Sequence, residues 1–262
     1  SDGDVKRQGV IEMFAMNSDL LRVLPFMEVP GRSYSYTVEG TLPVVAFRGF
    51  NENYSATQAD GRGEGVLVPQ TEHLKIAGGE IDVDRQIIRT SGTDVRAEHE
   101  MLKVKAMALR VTDRLINGNA NTNVREFDGL RRRVVGSQLF TGTGAATDGA
   151  LSLHSLDSAI DAVDDPTHWV MSKAMRSRLT QAMRLTTVGG FITFDKDEFG
   201  QTVTRYNDLP ILIADYSDTG ARIIGFNEAG TGGSAVATSI YCLSIGPGKV
   251  TGLQNGQMEV ED

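Results

Sequence analysis

The segment NTNVREFDGLRRRVVG, residues Asn121–Gly136, decides how the rest of the chain is interpreted. It follows a long amphipathic pattern and combines the apolar Phe127, the turn signal Asp128-Gly129 and three consecutive arginines, residues 131–133. Three interpretations of the arginines are open from the residues alone: binding of nucleic-acid phosphates, pairing with carboxylates of an adjacent subunit, or a solvated strand end. The neighbouring sequence has to decide between them.

The pattern before this segment predicts the longest helix of the chain, from about residue 94 to residue 117. Apolar or small side chains recur at helical spacing from Val95 to Ile116. Ser91 and Asp94 are spaced as a cap pair, and Asn117-Gly118 is a stop signal. Such a helix would be about 35 Å long at 1.5 Å per residue.

The first 90 residues divide into an arm and a β-rich excursion. Residues 1–32 mix charged and apolar side chains and predict short helical turns with Ser18 as an N-cap. The arm is too short to form a core, so its apolar side chains must lie on another surface, and another subunit is a candidate. Residues 33–90 show β-rich runs and no helical period, which predicts a two-stranded excursion with its tip near Asn51–Gly65. An isolated ribbon is marginal in water, so we expect this one to lie on a partner.

The second half of the chain predicts a sheet with helices. Residues Leu139–Gly149 form a Gly/Thr/Ala loop, and Ser155 is expected to cap a short helix before Pro166. HWVMS reads as a buried strand, and Ser172 is expected to cap the next helix, an arrangement that suggests an α/β unit. The strands predicted after it are GFITF, QTVTRY, LPILIADY, ARIIGFN and VATSIYCLSI, with turn signals at Asp197–Gly200 and Asn207-Asp208.

Composition excludes several classes of protein. The 262 residues carry 26 basic and 34 acidic side chains, a formal net charge of -8, so the chain as a whole is repelled by nucleic acid and anionic membranes. Cys242 is the only cysteine, so an intramolecular disulfide and a cysteine-based zinc site are ruled out. No apolar run approaches the ~20 residues of a membrane span. Ser1 at the start indicates a processed or a trimmed N-terminus.

The motifs of catalysis and metal binding are missing from the sequence. The four histidines are not spaced as metal ligands, and no G-x-S-x-G elbow is present. We therefore predict no catalytic, cofactor-binding or metal-binding residue and no cofactor. A distant alternative is an enzyme whose site converges from loops around Ser172, His168 and Asp195.

Taken in order, these pieces resemble the major capsid proteins of tailed bacteriophages, which have the Hong Kong 97-type fold. The resemblance is carried by the arm, the extended β excursion, the long helix ending near Asn117, EFDGL at residues 126–130, WVMSKAMRSRL, LPILIAD and SIYCLSIGPGKVTGL. It implies an α+β protein with a peripheral domain built around the long helix, called the spine helix, and an axial domain built on a central sheet. The expected divisions are an N-terminal arm (1–32), the extended β loop with flanking strands (33–90), the spine helix and peripheral domain (91–136), the axial domain (137–245) and a return to the peripheral domain (246–262). The resemblance leaves open whether the C-terminus is truncated.

The function implied by the resemblance is a non-enzymatic subunit that assembles into an icosahedral shell around double-stranded DNA. Its implied partners are further copies of itself in pentamers and hexamers, scaffolding, portal and decoration proteins, and packaged DNA held by weak non-specific contact, with no membrane. The implied location is the virion, after assembly in the host cytoplasm. An encapsulin, a nanocompartment shell of the same fold, is the alternative.

The resemblance also assigns roles to individual residues. Phe127 would anchor the return from the spine helix, Asp128 and Gly129 would make the turn, and the arginines would lead toward the axial domain. Candidates for contacts between subunits are Phe14, Phe26, Arg48, Asn51, Asn53, Tyr54, Asp60, Arg62, Glu64, Lys75, Arg131, Arg132 and Arg133.

Overall fold

The structure is a computed structural model that describes residues 10, 12–14, 16–43, 45–53, 66–90, 95–140, 151–183, 192–196, 202–230, 235–256 and 258. Several predictions fall outside these residues: the caps Ser91 and Asp94, the glycine-rich loop from residue 141 onward, and the turn Asp197–Gly200.

Six α-helices and eleven strands have both of their ends in the described parts of the chain, and residues Gly136–Gln138 form a 3-10 helix. The helices are α1 (Asp19–Val23), α2 (Arg85–Thr90), α3 (Val95–Asn117), α4 (Leu130–Arg133), α5 (Leu153–Asp161) and α6 (Lys173–Met183). The strands are β1 (Phe26–Glu28), β2 (Ser33–Thr41), β3 (Val66–His73), β4 (His168–Met171), β5 (Ile192–Lys196), β6 (Thr202–Tyr206), β7 (Leu209–Ile213), β8 (Glu228–Ala229), β9 (Ala235–Ala237), β10 (Tyr241–Leu243) and β11 (Gly252–Gln254). Among these helices, none combines the length and apolar character needed to cross a bilayer.

The chain divides into two compact units. The main unit contains the residues up to Met27, Ile76–Gly252 and the residues from Gly256 onward, and the ribbon unit contains Glu28–Lys75 and Leu253–Asn255. The main unit is built on a five-stranded sheet in the order β10-β4-β7-β6-β5. Strand β4 runs parallel to β7 and antiparallel to β10, with α6 in the connection from β4 onward. Strand β4 followed by α6 confirms the α/β unit that the sequence suggests.

Helices cover both faces of this sheet. Successive side chains of a strand point to opposite faces, so Val170 lies in one core cluster while its neighbours in β4 lie in the other. The first cluster joins the sheet to α1 and to the end of α3 through Leu20 and Ile116. The second joins it to α5 and α6 through Leu156 and Leu179. The sheet is therefore the middle of three layers.

The arm is partly explained by this packing. Ser18 accepts a hydrogen bond from the amide of Leu21, which confirms the predicted N-cap. Leu20 and Leu24 are 2% and 6% exposed in the first cluster. The surface that covers this part of the arm therefore belongs to the same chain, and another subunit is not needed for it.

Several sequence predictions of local structure are wrong. A helix, α2, occupies residues 85–90 of the predicted β excursion, because the Asp84 carboxylate accepts from the amide of Gln86 and starts it. Ser155 does not cap α5, since the N-cap is Ser152 and its side chain makes no capping bond. ARIIGFN forms no strand: Ile223 and Ile224 are both buried, and the Ile223 amide bonds to the Asp215 carbonyl oxygen in a loop.

The predicted long strand VATSIYCLSI is divided in two. Strand β9 pairs with β8 in one sheet, whereas β10 pairs with β4 in another, so the chain changes direction at residues 238–240. By contrast, Ser172 caps α6 as predicted, through a 3.3 Å bond from the amide of Met175. Asn207 and Asp208 make the predicted turn, both with positive φ.

Substitution of Leu20 tests the packing of the arm. Leu20→Ala should lower the free energy of unfolding of the main unit by about 2–5 kcal/mol, because it leaves a cavity in a filled core. Trp169 is the only tryptophan and is buried in the same unit, so its fluorescence during denaturant unfolding gives the measurement. The control is Met16→Ala, a side chain that is 82% exposed, with an expected change below about 0.5 kcal/mol. Equally small effects of both changes would contradict this packing.

Candidate interface site

The turn after α3 depends on two glycines. The Gly118 amide bonds to the Arg114 carbonyl oxygen, and the Gly129 amide returns to the Gly118 carbonyl oxygen, each at 2.9 Å. A Cβ atom on Gly118 would lie 2.3 Å from the Phe127 carbonyl oxygen, and one on Gly129 would lie 2.7 Å from that of Arg114. Both distances are shorter than real contacts allow. Two backbone segments can therefore approach only because these positions lack side chains.

Asp128 closes the turn from the other side. Its Oδ1 accepts from the amide of Ala120 at 2.9 Å and lies 3.0 Å from Nε of Arg132. The hydrogen bond from Ala120, and then the charges of Arg132 and Arg133, lower the pKa of the Asp128 carboxyl, against an opposing effect of desolvation. Phe127 itself is half-buried, and its role as an anchor remains a prediction.

Glu126 contributes an ion-pair network that sequence reasoning missed. Its carboxylate lies 2.8 Å from Nη1 of Arg114 and 3.9 Å from Nη2 of Arg110, and it accepts from the side chain of Asn123 at 2.9 Å. Arg110 also lies 3.6 Å from Asp218. The network thus ties the end of α3 to the following turn and to the loop at residue 218. The spacing of two arginines one helical turn apart was the available signal.

The arginine triplet is helical and is not a strand end. Leu130–Arg133 form α4, and all three arginines have partners in their own chain. Arg131 pairs with Glu228, Arg132 with Asp128, and Nε of Arg133 donates to the Asp128 carbonyl oxygen at 2.8 Å. The side chains of Arg131 and Arg132 are still 44% and 39% exposed. Their part in contacts between subunits therefore stays a prediction.

Arg131 belongs to a polar cluster that joins α4 to the sheet. The Glu228 side chain is only 10% exposed and accepts from the hydroxyl of Ser239 as well as from Arg131. Burial raises the pKa of the neighbouring Tyr241, while a hydrogen bond from Arg131 opposes that shift. The arginine therefore balances a nearly buried carboxylate.

The ribbon unit contains the two most exposed aromatic side chains among the described residues. Phe47 and Phe50 are fully exposed, at 103% and 105%, and Leu42 and Leu67 are 73% and 70% exposed. Within the described parts of the chain, β2 and β3 pair only with each other, and nearly every residue in them is exposed. The sequence prediction of a two-stranded excursion is confirmed. The signal that it missed was FRGF, two phenylalanines within four residues directly before the polar run NENYS.

The remaining predicted interface residues are scattered. Nη1 of Arg48 donates to the Glu52 carbonyl oxygen at 3.0 Å, Asn51 has a φ of +66°, and Asn53 is exposed. Lys75 is half-buried at the end of the ribbon unit. Phe14 is half-buried and Phe26 is 42% exposed. Tyr54, Asp60, Arg62 and Glu64 lie outside the described residues.

The structure does not bring together the residues of the enzyme alternative. His168 and Ser172 border β4, whereas Asp195 is on β5, three strand spacings or about 14 Å away. Ser172 is completely buried as a helix cap. Burial, and then the charge of Arg205, lower the pKa of His168, and burial raises the pKa of the Cys242 thiol to about 11. Within the described residues, no group of three or more His, Cys, Asp or Glu side chains is arranged to hold a metal ion.

Two arginine substitutions should separate the roles within the triplet. Arg131→Ala should lower the free energy of unfolding by about 1–3 kcal/mol, because it leaves the Glu228 carboxylate nearly buried and without its cation. Arg132→Ala removes a solvent-exposed pair and should cost less than about 1 kcal/mol. Denaturant unfolding of the purified protein measures both. A larger effect at Arg132 would contradict the assigned partners.

Lowering the pH should weaken the contribution of Asp128 to the free energy of unfolding. Its folded pKa is lower than the ordinary value of 3.8, so its stabilising effect is fully present above that pH and is lost as the pH falls through the folded pKa. The difference in unfolding free energy between the wild type and Asp128→Asn should therefore shrink as the pH is lowered from 6 to about 2. A difference that grows on acidification would contradict the assigned hydrogen bond.

Comparisons place this geometry among known folds. No family model matches the chain, and no curated protein matches it in sequence. Its fold resembles the capsid structure of Mycobacterium phage Bobi, with a TM-score of 0.54, 14% identity, and coverage of 79% of this chain and 67% of that one. The structure from Microbacterium phage Oxtober96 has a TM-score of 0.54 at 14% identity, over 80% of this chain and 67% of that one.

An encapsulin shows the same likeness. The holo-SrpI encapsulin complex from Synechococcus elongatus PCC 7942 gives a TM-score of 0.63 at 17% identity, over 93% of this chain and 72% of that one. These neighbours are structural shell proteins, and this chain spans about two thirds to three quarters of their length. The chain therefore has the Hong Kong 97-type fold that phage capsids and encapsulin shells share.

Proposed function

We propose that this chain is the major capsid protein of a tailed bacteriophage and assembles into the icosahedral shell that encloses double-stranded DNA. The observation that carries the proposal is the exposed ribbon on a chain with a shell-protein fold. Phe47 and Phe50 are as exposed in this fold as in an extended chain, which is costly for aromatic side chains in a protein that functions alone. Copies of the same chain supply the missing cover.

The mechanism of assembly is geometric. A two-stranded ribbon cannot bury its own apolar side chains, so it becomes stable when it lies on a neighbouring subunit. Burial of each phenylalanine contributes about 1.5–3 kcal/mol, and the contact is repeated at every subunit. Closed symmetry converts such a repeated contact into a shell with pentamers and hexamers of one chain.

The junction after the long helix has a mechanical part in this proposal. Helix α3 takes the role of the spine helix, and the turn at Asp128 and Gly129 directs the chain from the peripheral to the axial domain. The ion pairs of Glu126, Asp128 and Glu228 stiffen that passage. The exposed parts of the guanidinium groups are left for contacts between subunits.

The charge of the chain fits a container for DNA. A net charge of -8 prevents strong binding of phosphates over the whole surface, so packaged DNA would be held only by weak, non-specific contacts. Scaffolding, portal and decoration proteins are the further partners in this proposal, with assembly in the host cytoplasm and a final place in the virion.

An encapsulin-type shell is the second candidate, and a specific observation favours it. The SrpI encapsulin covers 93% of this chain at a TM-score of 0.63, compared with 79% and 0.54 for the Bobi capsid. The two functions differ in what the shell contains. A shell purified from its native source would contain double-stranded DNA in the first case and an enzyme cargo in the second.

The first test is electron microscopy of the purified protein combined with sedimentation velocity. Uniform icosahedral shells or capsomer rings are expected. A monodisperse monomer of 28.3 kDa under every condition tried would overturn the proposal. Nuclease digestion and gel electrophoresis of native particles then distinguish DNA from protein cargo.

Substitution of the exposed phenylalanines tests whether the ribbon is needed for assembly. The double change Phe47→Ser and Phe50→Ser should leave the unfolding of the unassembled subunit unchanged, since neither ring is buried in it. Shell yield in sedimentation should fall by about tenfold or more, because apolar burial is lost at every contact. Phe47→Leu with Phe50→Leu is the matched control and should retain most of the yield. Normal shells from the serine variant would contradict this use of the ribbon.

A further inference from the structure

The two outer edges of the ribbon can be distinguished from its hydrogen-bond register. The Leu74 amide donates to the Arg32 carbonyl oxygen at 2.8 Å, so this facing pair is hydrogen-bonded. In an antiparallel ladder such pairs alternate with pairs whose backbone groups point away from the partner strand. The next pair, Ser33 with His73, is therefore of the second kind, and so are Ser35 with Thr71 and Thr37 with Pro69.

Pro69 closes one of the two edges. Its ring nitrogen points away from β2 and carries no hydrogen, so a strand added outside β3 would lack a donor at this position. Proline at an outward position is a known means by which proteins protect the edge of a sheet. The edge of β3 is thus protected against a further strand.

The edge of β2 has no such protection. Its sequence SYSYTVEGT contains no proline and no lysine, and its single charged residue is Glu39. The outward N–H and C=O groups of Ser33, Ser35 and Thr37 have no strand beside them among the described residues. Open backbone groups of this kind are a template for one more strand.

We propose that the outer edge of β2 pairs with the same edge of a second copy of the chain, antiparallel and about a two-fold axis, which rests on the proposed shell-forming function. Alignment at Ser35 uses the outward groups of Ser33, Ser35 and Thr37: Ser35 faces Ser35 of the second copy, and Ser33 faces Thr37. The two ribbons become one four-stranded sheet in the order β3-β2-β2-β3. Three or more strands give the stability that a lone ribbon lacks.

The side chains of β2 suit this self-pairing. Tyr34 and Tyr36 already stack within one strand, with ring centroids 5.9 Å apart. In the proposed register Tyr34 faces Tyr36 of the second copy, so four rings gather on one face, and aromatic cross-strand pairs stabilise sheets. Glu39 lies beyond the paired stretch, so no like charges face each other. A second copy is therefore a compatible occupant of its own edge.

A pair of proline substitutions provides the test. Ser35→Pro removes an outward N–H from the open edge and leaves the bonds between β2 and β3 intact. Thr71→Pro is the matched control, since Thr71 is directly opposite, points outward on the protected edge, and shares the 3.1 Å hydroxyl contact with Ser35 that both changes remove. We expect Ser35→Pro to reduce shell yield in sedimentation velocity by about tenfold or more relative to Thr71→Pro.

The outcomes separate this inference from the proposed function. Wild-type shells together with equal yields from both proline variants would overturn the β2 pairing and leave the shell function standing. A wild-type chain that never assembles would overturn both. Ser35→Pro could unfold the ribbon itself, which would appear as a circular dichroism spectrum different from that of Thr71→Pro. In that case hydrogen exchange on the wild-type protein replaces the comparison of variants. Hydrogen exchange read by fragmentation mass spectrometry should then show the amides of Ser33, Ser35 and Thr37 protected in shells and unprotected in free subunits, and rapid exchange in shells would overturn the pairing.

Discussion

The whole architecture depends on an imbalance in the burial of apolar surface. The central sheet is covered on both faces by helices of its own chain, so that Trp169 and Val170 are 1% and 0% exposed. The ribbon has solvent on both faces, and the phenylalanines of its loop are fully exposed. One unit is therefore stable by itself, whereas the other gains most from contact with something outside it. A protein with this division is suited to assembly, because the apolar surface that is exposed in the monomer can be buried at contacts between copies, and that burial is favourable.

The segment between the long helix α3 and the sheet is held by close backbone contacts and by ion pairs. Gly118 and Gly129 allow two segments to approach more closely than any side chain would permit. Carboxylates on both sides then hold the passage: Glu126 binds the arginines of α3, and Glu228 binds Arg131 of α4. The arginine triplet, which suggests a nucleic-acid clamp when taken alone, is used mainly to neutralise acidic groups of its own chain.

Local sequence signals predicted those elements whose residues carry the information themselves. The range of α3, the caps Ser18 and Ser172, and the buried strand β4 all follow from periodicity or from a side chain that binds a nearby amide. Predictions failed where distant partners decided the outcome. VATSIYCLSI has the composition of one long strand, but its two halves pair with β8 and β4 in different sheets, and the Ser239 hydroxyl between them donates to Glu228. ARIIGFN was lost as a strand because its isoleucines fill the core beside α3 from a loop.

The sequence by itself determined the long helix, the two-stranded ribbon, the lack of catalytic and metal motifs, and the resemblance to shell proteins, since each rests on composition, spacing or short-range hydrogen bonding. The tertiary structure alone decided the partners: which carboxylate each arginine binds, which residues of the arm are buried, and which edge of the ribbon is open. The physical reason is that ion pairs and strand register join residues far apart in the chain. No local pattern in the sequence indicates that Arg131 pairs with Glu228 or that Thr37 faces Pro69. Only the folded backbone brings these residues together.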